Sequence, residues 1–117
     1  MRDKNIVPQK LKLLILVVNR NKAEYYSDFL QQDFAVNFQT IVQAHGTANA
    51  ETLQLMGLAD PEKSVIFSVI KEEKAHDALM KLEDKFKTVK NGKGIAFTVP
   101  MTSTIGVAIY RFLSDNR

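Results

Sequence analysis

Glycine and lysine are combined most densely in residues 88–94, which read TVKNGKG. Two glycines allow backbone amides to converge on an anion, and Lys90 and Lys93 add positive charge beside them. The segment is not a Walker A loop, because no Ser or Thr follows the Gly-Lys pair and no helix is predicted after it. The candidate anion-binding residues are therefore Thr88, Lys90, Gly92, Lys93 and Gly94. The alternative, which the local sequence alone favours, is an ordinary helix C-cap at Gly92 followed by a solvated turn.

A second segment, residues 45–63, is longer than a connection between two strands requires. A loop of this length is typical of a ligand- or partner-binding element, and a plain connector is the alternative. The pattern also allows a short helix that is capped by Asn49 and ends at Gly57. The candidate ligand-binding residues here are Gly46 and Thr47, and the candidate partner-binding residues are His45, Asn49, Leu53 and Met56.

The other reactive side chains do not form a catalytic or metal-binding pattern. The chain has no Cys, which excludes disulfides, thiolate metal sites and thiol nucleophiles. His76 lies among Glu72, Glu73 and Asp77 on a predicted helix, and this pattern is more typical of a solvated face than of a metal site. No Ser lies in a nucleophile motif. We therefore predict a protein that is not an enzyme and binds no metal.

Nucleic acid and membrane are also disfavoured as partners. Residues 93–100, KGIAFTVP, match an RNA-binding string only loosely, because Ile95 and Pro100 replace the stacking aromatics. The net charge of +3 is too small for phosphate-backbone binding without a clustered face. The longest apolar run, residues 13–18, is far shorter than the roughly 20 residues of a membrane helix. We predict no nucleic-acid partner, no membrane insertion and a cytoplasmic location.

Hydrophobic periodicity predicts the elements that position these two segments. Residues 11–18, 35–44, 64–70 and 94–100 have strand patterns, and those at 11–18 are the most apolar. Two helical stripes separate them, the first being Ala23, Tyr26, Phe29, Leu30 and Phe34 and the second Ala75, Leu79, Leu82, Phe86 and Val89. Asn19 is the predicted N-cap of the first helix.

The order strand–helix–strand occurs twice in one small chain of 117 residues. This repeat predicts an α+β fold, the ferredoxin-like βαββαβ sandwich, with an antiparallel four-stranded sheet and two helices on one face. The first and third strands should be central, and the second and fourth should flank them. Residues 1–10 are expected to form an N-terminal tail, and residues 11–117 a single domain.

The first and third predicted strands are apolar on both faces, although the helices cover only one. On the first, Leu13, Ile15 and Val17 point away from Leu14, Leu16 and Val18, and on the third Val65, Phe67 and Val69 form a similar row. An apolar face of this size is an aggregation hazard in a monomer. We therefore expect another subunit to cover it, with residues 101–117 as the alternative cover.

The combination of these elements resembles the PII nitrogen-regulatory proteins and their PII-like relatives over about residues 11–100. In that family the string after the second helix runs close to TGKIGDGKIFVLP, and here it is TVKNGKGIAFTVP. The matching positions are Thr88, Lys90, Gly92, Gly94, Phe97 and Pro100. This chain differs in having Lys93 at the acidic position, Ile95 at the basic position, and no Tyr in residues 45–63.

The resemblance implies a homotrimer whose sheets pack around a central axis. It implies a small anionic effector bound in clefts between subunits, where the long loop and the glycine-containing segment meet, and control of a target protein through residues 45–63. It admits an adenine nucleotide as the effector without requiring one, because the family's arginine-rich segment after the last strand is not reproduced in residues 105–111, where Arg111 is the only Arg. The alternatives are a constitutive trimeric binding or assembly module and a metal-responsive, cation-tolerance-like protein.

Overall fold

The computed structural model describes residues 10–45 and 62–102, and these form the predicted βαββαβ order. The elements are β1 (Leu11–Asn19), a 3₁₀ turn (Arg20–Lys22), α1 (Ala23–Phe34), β2 (Gln39–His45), β3 (Glu62–Lys71), α2 (Glu72–Thr88) and β4 (Gly94–Pro100). All strand pairs are antiparallel and the order in the sheet is β2-β3-β1-β4. The predicted fold class is confirmed, with the two most apolar strands in the centre. Neither described helix is long and apolar enough to cross a membrane.

The core lies between one face of the sheet and the two helices. The five-residue stripe predicted for α1 is buried in full, from Ala23 to Phe34. It packs with Ala75, Ala78 and Leu82 of α2 against a row of buried sheet residues, Leu14, Leu16, Val18, Ile66 and Ile70. Because both helices pack on this face, the described part of the chain is a two-layer sandwich.

Two fully buried serines on β3, Ser64 and Ser68, interrupt this apolar face. Ser64 donates a hydrogen bond to Gln43 Oε1 at 3.0 Å, and Ser68 donates one to Gln39 Oε1 at 3.1 Å. Both glutamines belong to the edge strand β2, so polar side chains of this strand satisfy the buried hydroxyl groups.

Two local predictions were wrong. The second strand was predicted from residue 35, but β2 begins at Gln39, because Ala35 adopts a left-handed conformation with φ 53° and ends α1. This reversal turns Val36 into the core, where it is 2% exposed. Asn19 was predicted to cap the first helix, but residues 20–22 form a 3₁₀ turn, and the Asn19 side chain makes no capping hydrogen bond.

The other face of the sheet carries nine apolar side chains in three rows across β3, β1 and β4. The rows are Val65, Val17 and Ile95; Phe67, Ile15 and Phe97; Val69, Leu13 and Val99. We call this set the open face, since no described helix lies on it. Phe97 and Val99 are 45% and 41% exposed. The prediction that the central strands are apolar on both faces is confirmed. Residues 103–117, the alternative cover, lie outside the described residues.

Candidate functional site

The segments singled out from the sequence reach the same end of the sheet. At this end Val18 of β1 lies opposite both Gly94 of β4 and Ser64 of β3, and His45 of β2 lies opposite Glu62. β3 and β1 separate His45 from Gly94, which corresponds to three strand spacings, or about 14 Å. One chain therefore brings the two segments to one end of the sheet without bringing these residues into contact.

The connection between α2 and β4 is a closed turn. α2 ends at Thr88, whose hydroxyl group donates to the Asp84 carbonyl oxygen at 3.0 Å, and Val89 is extended. The Gly92 amide donates to the Val89 carbonyl oxygen at 3.0 Å, and Asn91 has φ 57°. The alternative of a helix C-cap at Gly92 is wrong, because Val89 ends the helix and Asn91 takes the left-handed position, which Asn tolerates well. We call residues 89–94 the lysine turn.

Both glycines of the lysine turn are required by close packing. A Cβ atom on Gly94 would lie 2.7 Å from the Val17 carbonyl oxygen and 2.8 Å from Val18 Cγ1. A Cβ atom on Gly92 would lie 2.8 Å from Tyr26 Oη and from Val89 Cβ. The absence of a side chain at these two glycines therefore allows the turn to pack closely against β1 and α1.

Lys90 and Lys93 project from this turn and are exposed. Among the described residues, neither ammonium group has a hydrogen-bond or ion-pair partner. The turn thus presents two positive charges on a backbone held in place by packing, an arrangement suited to a small anion.

Tyr26 ties the turn to the core. Its side chain is fully buried, and its hydroxyl group donates a hydrogen bond to the Gly92 carbonyl oxygen at 2.5 Å. Burial, and to a lesser degree the neighbouring Tyr25, raises the pKa of Tyr26 to about 12. The neutral phenol is therefore the form that holds the turn.

This pKa predicts a loss of stability in strong alkali. The pKa of Tyr26 is higher in the folded than in the unfolded chain. The contribution of its neutral phenol to the free energy of unfolding is therefore complete below pH 10 and is lost as the pH rises through 12. We expect the wild type to lose about 2 kcal/mol of unfolding free energy between pH 9 and 12 relative to Tyr26→Phe. Urea unfolding of both proteins across this range measures the difference, and parallel pH curves would contradict it.

Three polar residues at this end of the sheet were missed by the sequence reasoning. Asn19 Nδ2 donates to the Asn91 carbonyl oxygen at 3.1 Å, and Lys63 Nζ donates to Asn19 Oδ1 at 2.7 Å. Arg20 donates to the Ala44 carbonyl oxygen at 3.2 Å and forms an ion pair with Glu62. No motif marks these residues, and only the register that pairs Asn19 with Lys63 could have indicated them.

The remaining predicted site residues are distributed as follows. His45 is exposed at the end of β2, and His76 is exposed on α2. Within residues 10–45 and 62–102, no group of three or more His, Asp or Glu side chains could hold a metal ion. Gly46, Thr47, Asn49, Leu53 and Met56 lie outside the described residues.

A groove of about 400 Å³ lies beside the turn, between α2 and the edge strand β4. Its lining is His76, Leu79, Met80, Glu83, Phe86, Gly94 and Ala96. The lining is mainly apolar and includes a carboxylate, so it is a poor match for an anion. The lysine turn is therefore the better candidate for the predicted anion site.

Comparison with known proteins found no matching protein-family model and no matching curated protein. Solved structures do match. The apo form of CPII, a nitrogen regulatory PII-like protein from Thiomonas intermedia K12, has a TM-score of 0.61 and 22% identity over 79% of this chain and 89% of CPII. CPII bound to ADP, AMP and bicarbonate has a TM-score of 0.59 and 19% identity over 85% and 100%.

A third match is the divalent ion tolerance protein CutA1 from Ehrlichia chaffeensis, with a TM-score of 0.65 and 10% identity over 94% of this chain and 97% of CutA1. The described elements and these matches define a ferredoxin-like α+β protein. More narrowly, the chain has the fold shared by PII-like and CutA1 proteins, so the resemblance to PII-like proteins is confirmed at the level of fold.

Proposed function

We propose that this chain is a non-catalytic, PII-like regulatory protein. It assembles as a homotrimer, binds a small anionic effector at the lysine turn, and controls a partner protein through residues 45–63. The observation that carries the proposal is the pair of exposed ammonium groups of Lys90 and Lys93, which have no partner within residues 10–45 and 62–102, on a turn held in place by packing.

Assembly is part of this proposal because, among the described residues of one chain, His45 at the start of residues 45–63 does not contact the lysine turn. Two strands, β3 and β1, lie between the end of β2 and the lysine turn at this end of the sheet. A neighbouring subunit that packs on the open face would place its own residues 45–63 beside the lysine turn. The effector site would then lie in a cleft between subunits, and binding would change which surface of that segment a partner meets.

The class of effector follows from the charge of the turn. Two ammonium groups suit a phosphate or carboxylate anion, and a structural neighbour, CPII, has been seen bound to ADP, AMP and bicarbonate. Ile95 stands beside these lysines and adds no charge. ADP, AMP and bicarbonate are therefore the first anions to test, and the turn sets no requirement for an adenine base.

Neutral substitutions at the turn test the proposal directly. We expect Lys93→Gln and Lys90→Gln each to weaken ADP or bicarbonate binding about tenfold or more, because each removes a charge-assisted hydrogen bond. The matched control is Lys81→Gln, which removes an exposed ammonium group on α2 that lies 4.0 Å from Asp77 and 5.7 Å from the centre of the Phe34 ring. Titration calorimetry measures all three variants. Unchanged affinity in both turn variants would contradict the site.

The likeness to CutA1 favours a second candidate, a metal-responsive protein of the cation-tolerance type, because it spans 94% of this chain. That function predicts a thermal shift with divalent metal ions that is lost when His45 or His76 is replaced. A trimer that responds to neither metals nor anions would instead be a constitutive assembly module.

A further inference from the structure

The Asn19 side chain joins three segments at the end of the sheet that carries the lysine turn. It lies on β1, its donor group contacts the Asn91 carbonyl oxygen in the turn, and its acceptor group contacts Lys63 at the start of β3. Lys63 is 3% exposed and Asn19 is half-buried, so this contact is partly buried. A single side chain therefore connects the proposed anion site to the strand that follows residues 46–61.

An amide is the group that this position requires. A backbone carbonyl oxygen needs a donor and an ammonium group needs an acceptor, and the Asn side chain supplies one of each. An Asp side chain of the same size would accept from Lys63 but would have no proton to give to the Asn91 carbonyl oxygen. The substitution Asn19→Asp therefore breaks one half of the connection and leaves the other.

The next residue, Arg20, extends the connection to both ends of residues 45–63. It donates to the Ala44 carbonyl oxygen at the end of β2 and pairs with Glu62 at the start of β3. Asn19 and Arg20 thus contact the turn, the strand that enters the loop and the strand that leaves it. Because Asn19 and Arg20 are adjacent in the chain, a displacement of Asn91 would alter the contacts at both strand ends.

We propose that Asn19 is the regulatory link that transmits occupation of the lysine turn to the strand ends that hold residues 45–63. The identity of the ligand rests on the proposed function, whereas the hydrogen bonds of Asn19 to Asn91 and Lys63 do not depend on it. A coupling free energy is reciprocal. If occupation of the lysine turn stabilises the contact of Lys63, a substitution at Lys63 must change the stability of the turn by the same free energy.

The ligand-free test measures amide hydrogen exchange at Gly92, whose N–H closes the turn. In the wild type, Lys63→Met should speed this exchange about fivefold, the change expected for loss of one hydrogen bond of ordinary strength. In the Asn19→Asp background the same substitution should have no further effect. Ser68→Ala, which alters a buried residue on β3 away from the turn, is the control and should leave Gly92 unchanged.

The link would be overturned if Lys63→Met raised the exchange rate of the Gly92 amide equally in the wild-type and Asn19→Asp backgrounds. It would also be overturned if the substitution did not raise this rate in the wild type. Lys63→Leu, which also lacks the donor, provides the same comparison if Lys63→Met does not fold.

The ligand arm uses ADP as the probe and follows exchange at Lys63 and Ser64. ADP should slow this exchange in the wild type but not in Asn19→Ala, with each protein saturated at an ADP concentration set by its own titration. An equal slowing in both proteins would overturn the link. If the wild type does not bind ADP, the proposed nucleotide function fails, while the ligand-free comparison still decides the link.

Discussion

Gly94→Ala should lower the free energy of unfolding by about 3 kcal/mol, as expected for inserting a methyl group where the backbone cannot move. The new Cβ would lie 2.7 Å from the Val17 carbonyl oxygen. Val17 belongs to β1, which is held on both sides by β3 and β4, so the oxygen cannot shift without disturbing two ladders. Urea denaturation of the purified variant measures the loss.

The neighbouring surface residue supplies the control for this prediction. Lys93→Ala alters an exposed side chain of the same turn and should change the stability by no more than about 0.5 kcal/mol. If Gly94→Ala were as stable as Lys93→Ala, the close packing of the turn on β1 would not be a constraint, and the two lysines would not stand on a fixed backbone.

Phe67→Glu should convert the proposed homotrimer to a single chain of 13.2 kDa. Phe67 lies in the middle row of the open face, opposite Ile15 on β1 and Thr40 on β2. A carboxylate buried there between subunits would lack a partner, which costs several kcal/mol at each contact. The fold of the chain should persist, because Phe67 lies outside the core cluster between sheet and helices.

The matched control for assembly is Met80→Glu, which places the same charge on α2. Met80 is 54% exposed on the helical side of the sandwich, so this variant should keep the assembled mass. Light scattering measures both variants. A Phe67→Glu protein with the wild-type mass would show that the open face is not the subunit interface.

The fold could be predicted because the strongest sequence patterns are also the buried ones. The α1 stripe from Ala23 to Phe34 is buried residue for residue, and the polarity ranking of the strands gave their order in the sheet. The start of β2 could not be predicted, because Ala35 has no preference for the left-handed conformation that ends α1. Tertiary packing of Val36 into the core fixes that reversal.

The candidate site could be predicted only in part. The composition of residues 88–94 located the turn and its two lysines, but the reason for the glycines lies in their contacts with Val17 and Tyr26. These residues are more than sixty positions away in sequence. The link through Asn19 requires the strand register and the side-chain geometry, and no local pattern contains either.

The measurement that tests the account most directly is a calorimetric titration with ADP, AMP and bicarbonate, on protein whose mass has been determined by light scattering. We predict saturable binding of at least one of these anions, at one site per chain, in a particle three times the mass of the chain. An intact assembly that gives no saturable heat with any of the three would contradict the proposed effector site.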